Sequence, residues 1–517
     1  MAVKLVSTGV QFPDNTIQTT ASSGGGSTVD LVAASGITAA SPLNAATVAL
    51  RSDGKIEAVA VSSGSASVTN ASYNNTNSYT TEATDILYVP AIDKCITFSL
   101  AGWYRVLHVI SHSGDTASFG STLNVYGYIG NRSEASLAWD DYRDVIMSCS
   151  PHSSTSLYSV YTISGTTITH HSTQSTGVTG SRGGIAFSKK NNLYVGLMSA
   201  SNRRNQMIMM GTLPADNYWG SSATHTDFKI EMRAGSTPEN YDSLKLAYLE
   251  TPGVMIACYI NARDSFRMGV VAIDPLSRYK YHVGHGVHGS KEGIEKQWPR
   301  NIRIREVPNT NCFLFAYANT SAQIDVGIGS VTGVSASIDQ VYHVDSGGGS
   351  NYTVGLAYDP DTRRVLIAYM KTNGTDLVYK WGEVDPVNKL IIMDSSTTDI
   401  DTTVPNQVAP AADWQPTIKR FVVNTPNVNF SSNRQLLSTI NIGGGSNKGN
   451  FIGMVESSIS QNATGEVKVG GIVELGSSAN LTENSVYYVQ NDGSLGISQT
   501  SVRAGRAIKS DRLLLNG

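Results

Sequence analysis

Three histidines, His282, His285 and His288, stand at i, i+3 and i+6 in the stretch YHVGHGVHGSKEG. Imidazole is a common ligand for divalent transition metals, and Gly284, Gly286 and Gly289 permit the unusual backbone angles that would let three rings converge. No carboxylate or thiolate is fixed beside them, so the stretch is read as a polar loop or strand end, and no metal site is assigned. Asp140, Asp141 and Asp144 are the densest acidic group. Glycosidic hydrolysis needs two carboxyls held about 5 to 9.5 Å apart across a cleft, whereas aspartate clustered in sequence is a turn former. These three, like Asp385 before Pro386, are read as turns. No G-x-S-x-G elbow, P-loop, HExxH or EF-hand loop is present. No catalytic set and no cofactor are assigned.

Aromatic residues offer chemistry of another kind. Tyr218 and Trp219 in NYWG, Trp298 in QWP and Trp414 in DWQ lie in loop-like sequence. An indole face stacks on the apolar face of a sugar, and its N–H adds one donor. These four are the candidate ligand-binding residues. Trp103, Trp139 and Trp381 fall in or beside strands and are expected in the core.

The elements that must position these residues are strands. Charged residues are 15% of the 517-residue chain, against about 25% in an average soluble domain, and Ser, Thr, Asn and Gly fill the difference. Helix-forming windows rich in Ala, Glu, Lys and Leu are absent. The formal net charge of −3 removes the basic signature of a nucleic-acid binder, so no nucleic-acid partner is expected. No apolar run approaches the ~18 residues of a spanning helix, and the N-terminus lacks an apolar signal core. Assembly in a cytoplasm without membrane insertion is expected. Cys95, Cys149, Cys258 and Cys312 each sit in an apolar run without a CxxC pair, as buried free thiols do.

A degenerate repeat organises the middle of the chain. Each copy has an apolar strand, a polar turn and a second apolar strand, as in LAWDDYRDVIMSCS from Leu137 and LAYDPDTRRVLIAYM from Leu356. Copies start at Leu87, Leu137, Ile185, Leu246, Ile304, Leu356 and Ile418, separated by 50, 48, 61, 58, 52 and 62 residues. A four-stranded propeller blade takes about 40 to 50 residues, so an all-β fold with a propeller of about seven blades is expected. A solenoid or sandwich array is the alternative. Ala138, Ala186, Ala247 and Ala357 fall at the crowded axial position. The expected divisions are a leader at 1–30 ending in the flexible Ser22–Ser27 stretch, the propeller at 31–445, and a small β-module at 446–517.

Both ends resemble proteins of tailed-bacteriophage virions. GVQFPDNTIQTTA from Gly9 looks like the opening of many tail-fibre proteins. FIGMVESSISQNATGEVKV, LTENSVYYVQNDGSLGI and SVRAGRAIKSDRLLLNG resemble a β-module recurring at the ends of such proteins. LRSDGKIE from Leu50 and YTISGTTIT from Tyr161 resemble phrases of phage propeller proteins. The resemblance implies a virion subunit anchored through Phe12, Pro13, Asp14, Ile17 and Gln18. Its partners would be other tail or baseplate proteins and a host surface glycan or protein, with a homo-oligomer, a trimer foremost, as its state. It implies adhesion without catalysis. The alternatives are a tailspike-like polysaccharide depolymerase and an architectural head-fibre or tail-junction protein. The S-x-D-x-G-x-T-W turns of sialidase-type propellers are absent, Ser113-Gly114-Asp115-Thr116 being only a fragment.

Overall fold

Strands predicted by the repeat close into a ring. The computed structural model describes residues 4–515 apart from 7–8, 12–16, 19–27, 40–44, 52–53, 60–65, 75–80, 102–103, 127–135, 152–155, 176–179, 201–205, 212–225, 231–240, 262–266, 274–299, 319–322, 334, 347–353, 372–375, 403–409, 427–433, 444–449, 491–492 and 498–501. The described residues contain strands and short 3-10 turns but no α-helix. They form two compact units: residues 67–358 with 365–441, and residues 1–66 with 359–364 and 442–517.

The larger unit is a seven-bladed β-propeller. From inside to outside, blade 1 is Thr81–Val89, Lys94–Ala101, Tyr104–Ser113 and Thr116–Tyr126. Blade 2 is Ser136–Asp140, Val145–Pro151, Ser156–Ser164 and Thr167–Ser175, and blade 3 is Gly180–Ser188, Leu193–Ala200, Gln206–Gly211 and Thr226–Ile230. The described strands of blade 4 are Tyr241–Leu249, Val254–Asn261 and Arg267–Ile273. Blade 5 is Arg300–Glu306, Cys312–Ala318, Ile324–Thr332 and Ser335–Asp345. Blade 6 is Val354–Asp359, Arg364–Met370 and Leu377–Asp385, with Leu390–Met393 and Thr398–Asp401 both paired to the third strand. Blade 7 is Ala411–Gln415, Arg420–Pro426 and Arg434–Asn441, and its outer strand is Ser67–Asn74, from before blade 1. First strands touch in succession from blade 1 to blade 5, and blade 7 touches blade 1. Arg303 Nε of blade 5 donates to Val354 O of blade 6 at 3.1 Å, and Gly355 abuts Ala411 and Ala412 of blade 7. The ring is therefore closed.

Each blade lies between two others, so a middle strand buries both faces and reads as a continuous apolar run instead of alternating. Cys312–Ala318 (CFLFAYA) is buried at every residue. Phe313, Phe315 and Tyr317 project from one face of it, with ring centroids 6.2 and 6.5 Å apart. Their register partners on the next strand are Gly329, Gly327 and Asp325. A Cβ on Gly327 would stand 2.2 Å from Phe315 Cζ, so the ring occupies the space that the missing side chain leaves. All four cysteines are buried free thiols, as their apolar settings predict.

The first hairpin turns repeat one device. A left-handed residue ends the turn before the second strand in six blades: Asp93, Asp144, Asn192, Gly253, Arg363 and Lys419, with φ between 50 and 70°. The repeat locates the first two strands of blades 1 to 6. It misplaces blade 7, where Ile418 lies inside a turn and the first strand is Ala411–Gln415. The polar Asp413 and Gln415 break up the apolar run there, so the sequence pattern catches only the second strand.

The smaller unit contains two five-stranded sheets. One has the order Thr28–Val32, Thr464–Lys468, Phe451–Val455, Ala46–Leu50 and Ile56–Ala58. The other is Gly471–Glu474, Arg512–Leu515, Arg503–Lys509, Val486–Val489 and Leu495–Gly496. A three-stranded sheet of Lys4–Val6, Gly9–Gln11 and Ile17–Gln18 precedes them. The domain division therefore differs from the expected one. The 30/31 boundary falls inside a strand, and residues up to 58 pair with the C-terminal module, not with the propeller. Pairing between segments some 400 residues apart leaves no local trace in sequence.

Candidate functional site

Aspartates near the turns are occupied as turn caps. Asp140 Oδ1 accepts the backbone N–H of Tyr142 at 3.0 Å and of Arg143 at 3.2 Å. Asp359 does the same with Asp361 and Thr362, and Asp385 with Val387 and Asn388. Each of these caps stands four residues before a left-handed residue: Asp144, Arg363 and Lys389. Arg143 Nη1 closes on Asp140 Oδ2 at 2.7 Å, and Asp141 pairs with Lys189 at 2.7 Å. Burial raises the Asp140 carboxyl and Arg143 opposes the rise. The turn reading of Asp140, Asp141 and Asp144 agrees with this geometry. Asp140→Ala is expected to cost about 1–3 kcal/mol, because it strips two turn amides and Arg143 of their shared acceptor, and a urea midpoint unchanged from the parent would contradict the capping role.

Acidic residues of the first strands stitch neighbouring blades together. Asp85 Oδ2 of blade 1 accepts from Leu137 N of blade 2 at 2.8 Å. Asp413 Oδ2 of blade 7 accepts from Tyr88 N of blade 1 at 2.8 Å. Arg305 of blade 5 donates from Nη2 to Ala412 O of blade 7 at 2.8 Å, and its Nε stands 3.7 Å from Asp413 Oδ1. Burial pushes the Asp413 carboxyl up, against Arg305. Each of these groups is spent on holding the ring.

Arg105 is engaged differently. It sits in the third strand of blade 1 on the same face as Leu107 and Val109, which pack against Ile146, Tyr161 and Ile168 of blade 2. The residue is 2% exposed. Its Nη1 donates to Ser159 Oγ, its Nη2 donates to Thr173 Oγ1 at 3.3 Å, and its Nε has no partner among the described residues. No carboxylate of the described residues pairs with it, unlike Arg143, Arg305 and Arg420, which pair with Asp140, Asp413 and Asp115. Burying a charge without a counter-charge costs several kcal/mol in real proteins, so a guanidinium met only by neutral hydroxyls is a candidate site.

Blade 2 supplies the rest of the nest. Ser159 and Thr173 are register partners, as are Tyr161 and His170, with an irregularity between Val160 and Tyr161. That bulge re-aims the side chains beyond it. It lets His170 Nε2 reach Thr173 Oγ1 at 2.9 Å, while Ser159 Oγ lies 2.9 Å from the same oxygen. The His170 ring packs on Tyr161 with centroids 5.5 Å apart. Burial and then Arg105 lower the His170 pKa. Thr173 is exposed and His170 half-buried, so the nest opens to solvent at its rim.

Among the ligand candidates chosen from sequence, Trp414 is corrected. It lies in the first strand of blade 7, 8% exposed, its ring 4.7 Å from that of Phe421. It packs the blade and presents no face to a sugar. Tyr218, Trp219 and Trp298 lie outside the described residues, as do Trp103, the His282–His288 group, and Phe12, Pro13 and Asp14 of the leader. Ile17 and Gln18 form a strand paired with Val10 and Gln11. Trp139 packs against the blade 1–2 core as expected. The sequence reading missed Arg105, whose signal is a lone cation in the apolar run WYRVLHVI.

No protein-family model matches the chain, and no curated protein matches it. Several solved structures are similar. Periplasmic gluconolactonase PpgL from Pseudomonas aeruginosa is 11% identical, with 70% of this chain and 95% of that one covered and a TM-score of 0.42. The SapL1 lectin in complex with alpha methyl fucoside is 10% identical over 64% of this chain and 99% of its own, with a TM-score of 0.41. A variant of the NanB sialidase from Streptococcus pneumoniae is 10% identical over 71% and 70% of the two chains, with a TM-score of 0.41. These similar structures include both enzymes and a lectin.

Proposed function

We propose that the protein is a structural subunit of a tailed-phage virion, at the tail tip or in a tail fibre, whose propeller binds a host surface glycan or protein without cleaving it. The observation that carries this reading is where the C-terminal virion-like phrases fall. FIGMVESSISQNATGEVKV, LTENSVYYVQNDGSLGI and SVRAGRAIKSDRLLLNG belong to the smaller unit, where Phe451–Val455 pairs with Ala46–Leu50 and Thr464–Lys468 with Thr28–Val32. The phrases that resemble the end module of virion proteins thus belong to one folded body woven from both ends of the chain. The propeller is left to present the binding face, and a closed ring that holds this face in place keeps the ordering cost of binding low. Several copies per particle would add avidity to weak single sites. Commitment of the described turn carboxylates to backbone donors favours binding over hydrolysis.

Purified full-length protein is expected to compete with the virion for adsorption to its host in a dose-dependent way, releasing no saccharide from isolated cell envelopes. Absence of competition, together with a head or buried-junction position in a cryo-EM map of the particle, would sink the adhesin reading. Release of reducing ends would replace it with the depolymerase.

A further inference from the structure

We propose that the nest around Arg105, between blades 1 and 2, binds the oxyanion of an acidic saccharide, a carboxylate or a phosphate or sulfate ester. The inference rests on the adhesin reading for the identity of the carrier, but the anion site stands on its own geometry. Arg105 is the one-sided half of an ion pair: a buried guanidinium with an unused Nε and, among the described residues, no carboxylate counter-charge. A ligand that brings the negative charge removes that imbalance.

The surrounding groups suit the task. A guanidinium presents donors in a planar fork that matches two oxygens of one oxyanion. Ser159 and Thr173 carry hydroxyls that now accept from Arg105, and each can turn its O–H toward an arriving oxygen. His170, brought to the rim by the bulge, adds a ring nitrogen 2.9 Å from Thr173 Oγ1. The exposed surface around Thr173 gives the approach. A neutral sugar gains no charge complementarity there.

The test uses the full-length protein, with melting temperature read against sodium glucuronate, inorganic phosphate, and glucose in sodium chloride of equal ionic strength. At tenfold excess over Kd, glucuronate or phosphate is expected to raise the melting temperature of the propeller by about 2 °C, and glucose is expected to leave it unchanged. Which anion acts identifies the group on the saccharide. Arg105→Gln is expected to abolish the rise. Thr173→Val, whose fold is checked by circular dichroism because Arg105 loses an acceptor, is expected to weaken binding several-fold. No shift beyond the chloride control with either anion overturns the site, and so does an equal shift in Arg105→Gln or Thr173→Val. Binding of the labelled protein to host cells separates the two readings. Intact anion binding without cell binding defeats the adhesin alone, whereas cell binding untouched by Arg105→Gln defeats the site as receptor contact alone.

Discussion

Phe315→Ala is expected to destabilise the propeller by about 3–5 kcal/mol, and Gly327→Val by about 1–3 kcal/mol. The double variant is expected to lose about 1–3 kcal/mol less than the sum of the two. The reason is the shared volume: Phe315 is fully buried, and its Cζ would lie 2.2 Å from a Cβ on Gly327. Removing the ring opens a cavity and adding the side chain overfills it, so together they partly cancel. Relief is incomplete because the same Cβ would meet Gln340 O at 2.7 Å, and a carbonyl of the fourth strand cannot swing away. Urea unfolding of the parent, the two single variants and the double variant measures the coupling. Strict additivity would show that ring and glycine do not share that space.

Acidification supplies the second large effect. His108 is fully buried, its Nδ1 2.9 Å from Thr122 Oγ1 and its ring 5.2 Å from that of Phe119. Burial lowers its pKa from 6.5 to about 4. The folded protein therefore keeps the ring neutral where the unfolded chain takes up a proton. Stability is full above pH 6.5 and falls as the pH drops toward 4, by about 3 kcal/mol over the window at 1.36 kcal/mol per unit. Carboxylates titrate at the lower end of the same range, so the parent is compared with His108→Leu. The variant is expected to have a flatter pH profile between 6.5 and 4.5, and parallel profiles would refute the assignment.

Much of the propeller was legible in the sequence because blade strands are short, sequential and apolar on both faces. LAYDPDTRRVLIAYM shows two strands, a capping aspartate and a left-handed turn residue within fifteen positions, and the structure forms them there. Blade 7 was less legible because its outer strand, Ser67–Asn74, reads SVTNASYN and pairs with residues more than 350 positions away. The same limit applies to the smaller unit, where Thr28–Val32 meets Thr464–Lys468. Site residues were harder still. Trp414 sits between Asp413 and Gln415, a loop-like setting on hydrophilicity alone. Yet both polar neighbours face partners in blade 1, Asp413 at Tyr88 N and Gln415 at Asp93 O, and leave the indole in the core. Arg105 was visible as a cation in an apolar run, but its meaning depends on Ser159 and Thr173 of another blade.

Closure of blade 7 also governs when the ring can form during synthesis. The chain enters the ring at Ser67 and leaves it at Asn441, and these two residues are register partners at one end of an eight-pair seam. The outer strand is made first and waits for a partner that emerges more than 350 residues later. A chain released before Arg434 therefore leaves Ser67–Asn74 as an unpaired edge and the ring open at blade 7.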